Sequence, residues 1–348
     1  MTGPRVALVG GFWGQNIGNA FFNLGGRAVL EHAGCVVSFI QDMPAYATFR
    51  NERRGNFANA LPILDDLELD LLVLQGPLFT VNFGNIWRSQ LLRLADRGVG
   101  WAVLGGAFRK YTREEQRTAR QVIDDVPPVF VSTRDAETAT MLDGAPTAVR
   151  NGVDSAFFLP EAFDPPSMSS AFVTFTFDHY PEPRLVADPA GVITIGEVRY
   201  SPQHGRAGEW AAGRSKAHAV LSQILSRRNT RPAELGGLRV VRPDHRTNPH
   251  LPLKIYKEPN AIASDEPWTY LTLYANTQLT YGDRVHACVA TLAYGRPAML
   301  HNPGTERSRL FGAVGCAGIT SAPCTLSAER RAEELAAATE FVRSAASM

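Results

Sequence analysis

Arg5-Val6-Ala7-Leu8-Val9 is followed by Gly10-Gly11-Phe12-Trp13-Gly14-Gln15-Asn16-Ile17-Gly18-Asn19, a helical pattern over residues 19–33 and a second apolar run over 35–40. An apolar run of five residues is strand length, and its glycine-rich exit leads into an amphipathic stretch, so these residues predict a βαβ unit. The pattern repeats. Apolar runs recur at 69–74, 99–104 and 129–131, with helical stretches at 85–96, 113–123 and 136–142 between and after them. Strands alternating with helices imply a parallel sheet covered on both faces, joined by right-handed crossovers. The glycine-rich stretch fits neither the dinucleotide fingerprint nor a Walker loop. A tight turn that permits close packing and a ligand loop both remain open for it. Asp42 is near the end of the second run but is not the isolated acid that an NAD ribose requires, which argues against NAD.

The second half begins less regularly. Residues 171–177 and 192–197 read as strands around a connection rich in Pro and Asp, which predicts an antiparallel insert. Residues 211–226 read as helix and 238–241 as strand. Residues 242–267 contain five prolines and little periodicity, so they predict a long surface loop. Alternation resumes with a strand at 278–281, a helix at 284–294, a strand at 298–300 and a helix at 308–314. An amphipathic stretch at 328–345 predicts a terminal docking helix. Pro, Ser and Asp cluster at 160–170, the composition of a boundary. The expected division is a Rossmann-like domain over 1–162, a second over 163–325, and the docking helix over 326–348.

A chain of 348 residues suits two cores. Its 45% hydrophobic and 20% charged residues are the balance of a globular protein. A net charge of +1 argues against a nucleic-acid or membrane-surface binder. The first apolar run is too short for a signal-peptide core and no stretch reaches membrane-span length, so the expected location is the cytoplasm. Cys35, Cys288, Cys316 and Cys324 form no C-x-x-C pair, which predicts reduced, mostly buried thiols and no structural zinc.

Gly282-Asp283-Arg284-Val285-His286-Ala287 follows a strand and opens a helix that Gly295, before Pro297, should stop. Asp283 is typed as its N-cap. Arg284 and His286 then lie in the first turn, where free N–H groups and the positive end of the helix dipole favour an anion. An arginine there can grip a carboxylate or phosphate in bidentate fashion. The bland reading is a solvated arginine and an incidental histidine, and spacing alone leaves both standing. Arg242, Asp244, His245, Arg246, His250, Lys254 and Lys257 form a mixed basic cluster in the predicted loop. It reads as a solvated loop or as a lid over an anionic substrate. His32 reads as a helix-end residue, and His179 and His204 carry no assignment. No ligand spacing predicts a metal.

Residues 283–298, from Asp-Arg-Val-His-Ala to Gly-Arg-Pro-Ala, resemble the signature helix of the polysaccharide pyruvyl transferases, in which Arg-x-His-Ala opens a helix ending in Gly-x-Pro. Ser132-Thr133-Arg134-Asp135 is similar to that family's strand-to-helix turn. Gly152-Val153-Asp154-Ser155-Ala156-Phe157 resembles the close of its first domain, and Asn16-Ile17-Gly18-Asn19 its Asn-x-Gly-Asp opening, with Asn19 in place of the acid. The resemblance implies two Rossmann-like domains in the type B glycosyltransferase architecture with a ligand cleft between them. It also implies transfer of the enolpyruvyl skeleton of phosphoenolpyruvate onto sugar hydroxyls as a ketal, without a cofactor. His286 suits proton delivery and Arg284 the anionic grip. Arg134, Asn16, Gly18, Asn19 and His245 are candidate substrate-binding residues. So are Arg307 and Arg309, where the family carries a lysine. A second departure is the end of the second domain's first strand, Phe177-Asp178-His179-Tyr180, where the family commonly has an arginine. A nucleotide-sugar glycosyltransferase and a non-catalytic ligand-binding relative are the rival readings. The expected partners are a small donor and a sugar-type acceptor. Nucleic acid is not expected, and a homo-oligomer is allowed.

Overall fold

The computed structural model describes residues 3–11, 13–14, 16–40, 61–178, 180–203, 231–245, 259–301, 306 and 308–346. The expected helix at 211–226, together with Asp42, His179, His204, Arg246, His250, Lys254, Lys257 and Arg307, lies outside the described residues. The chain separates into two compact units: residues 1–13, 19–162 and 329–348 form one, and residues 14–18 and 163–328 the other.

The first unit is built on β1 (Arg5–Val9), β2 (Val36–Ile40), β3 (Leu71–Gln75), β4 (Gly100–Gly106), β5 (Phe130–Thr133) and β6 (Ala148–Asn151). They form a six-stranded sheet in the order β2-β1-β3-β4-β5-β6, and every pairing is parallel. Helices α1 (Gly18–His32), α2 (Phe83–Asp96), α3 (Arg113–Asp125) and α4 (Ala136–Met141) alternate with the strands, as the apolar periodicity predicts. Helix α2 buries Phe83, Ile86, Trp87, Leu91 and Leu94 on one stripe. Each such side chain contributes about 1.5–3 kcal/mol by leaving water. Thr112 and Asp135 cap α3 and α4 by accepting from Glu115 N and Thr138 N. His32 ends α1 with its Nδ1 2.9 Å from Ala28 O, in keeping with a helix-end role. Edge strand β6 is half exposed, so it lacks the apolar run that reveals its neighbours in the sequence.

The second unit holds β7 (Phe172–Thr176), β8 (Arg184–Ala187), β9 (Ile193–Ile195), β10 (Val198–Gln203), β11 (Glu234–Leu235), β12 (Leu238–Pro243), β13 (Ala261–Ile262), β14 (Thr280–Gly282) and β15 (Ala298–Leu300). Strands β8-β10-β9 form an antiparallel insert, to which the strand expected at 192–197 contributes β9. The strand expected beside it at 171–177 is instead β7, which pairs in parallel within the main sheet. Ile193, Ile195 and Tyr200 from the insert share a core with Val173, Phe175 and Tyr281 of the main sheet. That main sheet runs β11-β12-β7-β14-β15 with β13 beside β12, and β12, β7, β14 and β15 are mutually parallel. Helices α5 (Pro267–Asn276), α6 (Val285–Ala293) and α7 (Arg309–Gly312) complete the unit, and α8 (Ala328–Ala346) closes the chain. Phe341 of α8 meets Phe130 of β5 edge-on at 5.5 Å, and Glu334 pairs with Arg150 at 2.9 Å, so this helix packs on the first unit.

Three expectations are corrected. The predicted surface loop from 242 begins inside a buried strand. Arg242 is 2% exposed because Glu182 takes its guanidinium at 2.7 and 2.8 Å while Pro259 O and Pro232 O accept from it. His245 is buried as well, and α5 occupies residues that the sequence left unassigned. Finally, Cys316 and Cys324 form a disulfide where reduced thiols were expected. The turn after α7 brings their Cα atoms to 5.8 Å, a proximity that sequence spacing does not reveal. Cys35 and Cys288 are free and buried, and burial pushes both thiols up.

Candidate functional site

In a parallel sheet the ligand crevice opens where successive connections leave in opposite directions, at the carboxyl ends of the strands. In the second unit the chain passes from β7 to β12 on one side, and β14 pairs with β7 on the other. The ends of β7 and β14 therefore mark the switch point. Gly282 ends β14 so close to β7 that a Cβ would strike the Thr176 carbonyl and hydroxyl. Only glycine fits there.

The next residues form a compact polar turn. Asp283, 2% exposed, accepts from Tyr180 N at 2.7 Å and from Asp178 N at 3.1 Å. It is therefore not the N-cap that the sequence suggested. Its carboxylate ties the loop after β7 to the end of β14, and Arg284 takes the N-cap position with extended backbone before α6 starts at Val285. Burial, and then the negative charge of Asp178, push the Asp283 carboxyl up to about 6 against the pull of two backbone N–H groups and Arg284.

Arg284, 7% exposed, is likewise not a solvated side chain. Its Nε lies 3.2 Å from Asp178 Oδ2, and its Nη2 donates to Asn16 Oδ1 at 2.5 Å. His286 is half buried in the first turn of α6, and a Cβ on Gly18 would stand 3.1 Å from its Cβ and 3.2 Å from its Nδ1. Ile17 N donates to His245 O at 3.1 Å. The short segment 16–18 is thus stitched to the site at three consecutive residues. The His245 Nε2 meets the Tyr274 hydroxyl, and its ring stands edge-on to Tyr270 at 5.3 Å. Burial pushes the Tyr270 hydroxyl up to about 12 and raises Tyr274 as well, so both remain neutral hydrogen-bonding groups.

Asn16, Gly18, His245, Arg284 and His286 therefore come together at one edge of the second sheet. Arg134 and Asn19 belong to the first unit. Arg134 pairs at 2.9 Å with Asp154, whose other oxygen caps the 3-10 turn Ser155–Glu161 through Ala156 N, so this arginine clamps the end of β5. Asn19 is buried against Gly11 in the first unit. There Gly11 exchanges two hydrogen bonds with the Asn23 side chain, which favours the close-packed-turn reading of the glycine-rich loop. Arg309 opens α7.

The sequence reading missed two residues. Asp178 was seen only as a departure from a pattern, yet it is the carboxylate on Arg284. His301, past the end of β15, donates its N–H to Gly282 O at 2.7 Å and faces Tyr180 edge-on at 5.3 Å. The rule that strand ends line the crevice could have found both. Among the described residues no group of three His, Cys, Asp or Glu could hold a metal ion, and no helix is long and apolar enough to cross a membrane.

Chemically, the turn offers a guanidinium, an imidazole beside a glycine, and the leading N–H groups of a buried helix. A sequence model of the polysaccharide pyruvyl transferase family matches residues 16–300. No curated protein matches the chain by sequence. Among solved structures, S. aureus MnaA with UDP is similar at 10% identity and a TM-score of 0.50, over 97% of this chain and 94% of that one. A Listeria monocytogenes structure described as a putative UDP-N-acetylglucosamine 2-epimerase is similar at 12% identity and a TM-score of 0.50, over 99% and 90%. At such identity the likeness shows the fold, the two-domain α/β architecture of the type B glycosyltransferases.

Proposed function

Because the chain belongs to the polysaccharide pyruvyl transferase family, we propose that it transfers the enolpyruvyl skeleton of phosphoenolpyruvate to hydroxyls of a sugar-type acceptor as a ketal. The observation that carries this reading is the turn at the β7–β14 switch point, where Arg284 and His286 lead α6 and residues 16–18 pack on both. In the proposed reaction the donor methylene carbon takes a proton and the acceptor oxygen bonds to the neighbouring carbon. The acceptor hydroxyl loses its proton, phosphate leaves with its bridging oxygen, and a second hydroxyl closes the ketal with loss of its own proton. His286 is the group for the methylene proton, and Arg284 with the leading N–H groups of α6 is the anionic grip.

One observation favours a second reading, a nucleotide-sugar transferase. Strand β7 leads to a carboxylate, Asp178, and carboxylates accept hydrogen bonds from ribose hydroxyls. A single experiment separates the two. Phosphate release from phosphoenolpyruvate is followed over a panel of sugars with paired hydroxyls, beside thermal shifts with phosphoenolpyruvate and with several nucleotide sugars. Acceptor-dependent phosphate release supports pyruvyl transfer. Stabilisation by a nucleotide sugar alone, without phosphate release from any acceptor, replaces it with the second reading.

A further inference from the structure

Two carboxylates and one guanidinium share the turn at the ends of β7 and β14. Asp178 and Arg284 are 7% and 8% exposed at the side chain and lie 3.2 Å apart. Asp283 is held beside them by the N–H groups of Asp178 and Tyr180. An anion that engages Arg284 through Nε takes the position Asp178 now holds. That would set two buried carboxylates and a ligand anion beside Arg284. A buried charge without its partner costs several kcal/mol, and such a group commonly neutralises instead.

We propose that Asp178 is the resident carboxylate of Arg284, and that a donor carboxylate or phosphate displaces it with uptake of one proton by the Asp178–Asp283 pair. This deepens the proposed function and rests on its assignment of Arg284 to an anionic donor. Asp178 is then a positioning residue. It keeps the guanidinium aimed at the crevice, and it makes the donor grip depend on pH.

The other groups around the pair narrow where the proton goes. From α5, Tyr270 and Tyr274 feel the charge of Asp178, and from α6, Cys288 feels that of Asp283. All three are pushed up and carry a proton throughout the neutral range. Asn16 carries no charge. His286 on α6 and His245 past β12 also border the site, so the test compares wild type with a variant that changes only the carboxyl pair. Burial already pushes Asp283 up to about 6. A second anion raises the carboxyl pair further, and the proton belongs to the pair rather than to one oxygen. By linkage, a ligand that takes up a proton loses affinity as pH rises, by up to about tenfold per unit.

Calorimetric titration of the full chain with phosphoenolpyruvate, in two buffers of different ionisation enthalpy, counts the protons. The runs belong at about pH 7.5 and about pH 8.5, above the second phosphate ionisation near about 6, so that the donor does not titrate. Wild type should take up close to one proton at the lower pH and bind more weakly at the higher. Asp178→Asn should bind with little proton uptake and a flat pH profile, and more tightly than wild type at the higher pH. The same proton count in both proteins overturns the proposal. Should Asp178→Asn fail to fold, a wild-type count of zero overturns it equally. Absence of phosphoenolpyruvate binding in both proteins sinks the donor assignment itself and this inference with it, an outcome distinct from binding without Asp178-dependent uptake.

Discussion

Arg284 pairs with Asp178 and Asn16 within its own unit, and this changes what its removal does. A solvated arginine could be truncated with little effect on folding. Here Arg284→Ala would leave Asp178 buried without its cation, a loss on the order of 3–5 kcal/mol for a buried pair. The expected outcome is a clearly lowered urea midpoint, recovered in large part by the double variant Arg284→Ala/Asp178→Asn. Chemical denaturation of the four proteins of the cycle measures it. Equal midpoints for wild type and Arg284→Ala would show that the pair contributes nothing. His286 is different, being half buried and packed on Gly18. His286→Ala should lower turnover by about 10²–10⁴-fold with donor affinity changed far less, as expected for a proton-transfer group. Steady-state phosphate release beside calorimetric donor binding checks it. A loss of binding as large as the loss of turnover would make this histidine a ligand contact instead.

At the scale of elements, the site depends on how α6 is seated. Residues 287–293 of this helix are all buried. A chain of threonine hydroxyls fixes it to the sheet: Thr174 of β7 to Thr280 of β14 at 2.5 Å, Thr280 to Thr291 of α6 at 2.6 Å, and Thr291 to Ala287 O at 2.9 Å. Such a buried network has one satisfied arrangement, so it sets the helix register that places His286. The segment after α7 is held differently. Cys316 and Cys324 close a loop with a sequence separation of 8, and Cys324 pairs with Ala298 at the start of β15. Loop-closure entropy for so short a loop gives about 2–3 kcal/mol. Cys316→Ser/Cys324→Ser should lower stability by about that amount, read from urea unfolding under non-reducing conditions. A variant as stable as wild type, together with free thiols in the wild type by mass spectrometry, would remove the staple.

For the whole molecule, Asp283 links folding to pH. Its folded pKa of about 6 lies above the ordinary aspartate value of about 3.9, so the native state binds more protons than the unfolded chain in between. The contribution of this group to stability therefore falls as pH rises from about 4 to about 6 and is constant above that window. Asp283→Asn removes the titration but also an acceptor. The stability gap between wild type and variant should move in the variant's favour across that window, as measured by unfolding midpoints at several pH values. A gap that does not change with pH would place the titration elsewhere.

Sequence alone determined the α/β class. Apolar runs of strand length that alternate with amphipathic stretches bury themselves in one way, as a parallel sheet under helices, and Arg-x-His-Ala before Gly-x-Pro pointed to the family. It also determined the short helix that follows Asp135, because that pattern is local. Tertiary structure decided the rest. Half-exposed β6 has no apolar signature, and the burial of Arg242 depends on Glu182, 60 residues away along the chain. Arg284 reads as a solvated cation until Asp178, from the loop after a strand more than a hundred residues earlier, meets it. The charge state of a side chain is set by what is brought within a few ångströms of it, and that proximity belongs to the fold rather than to the neighbouring letters.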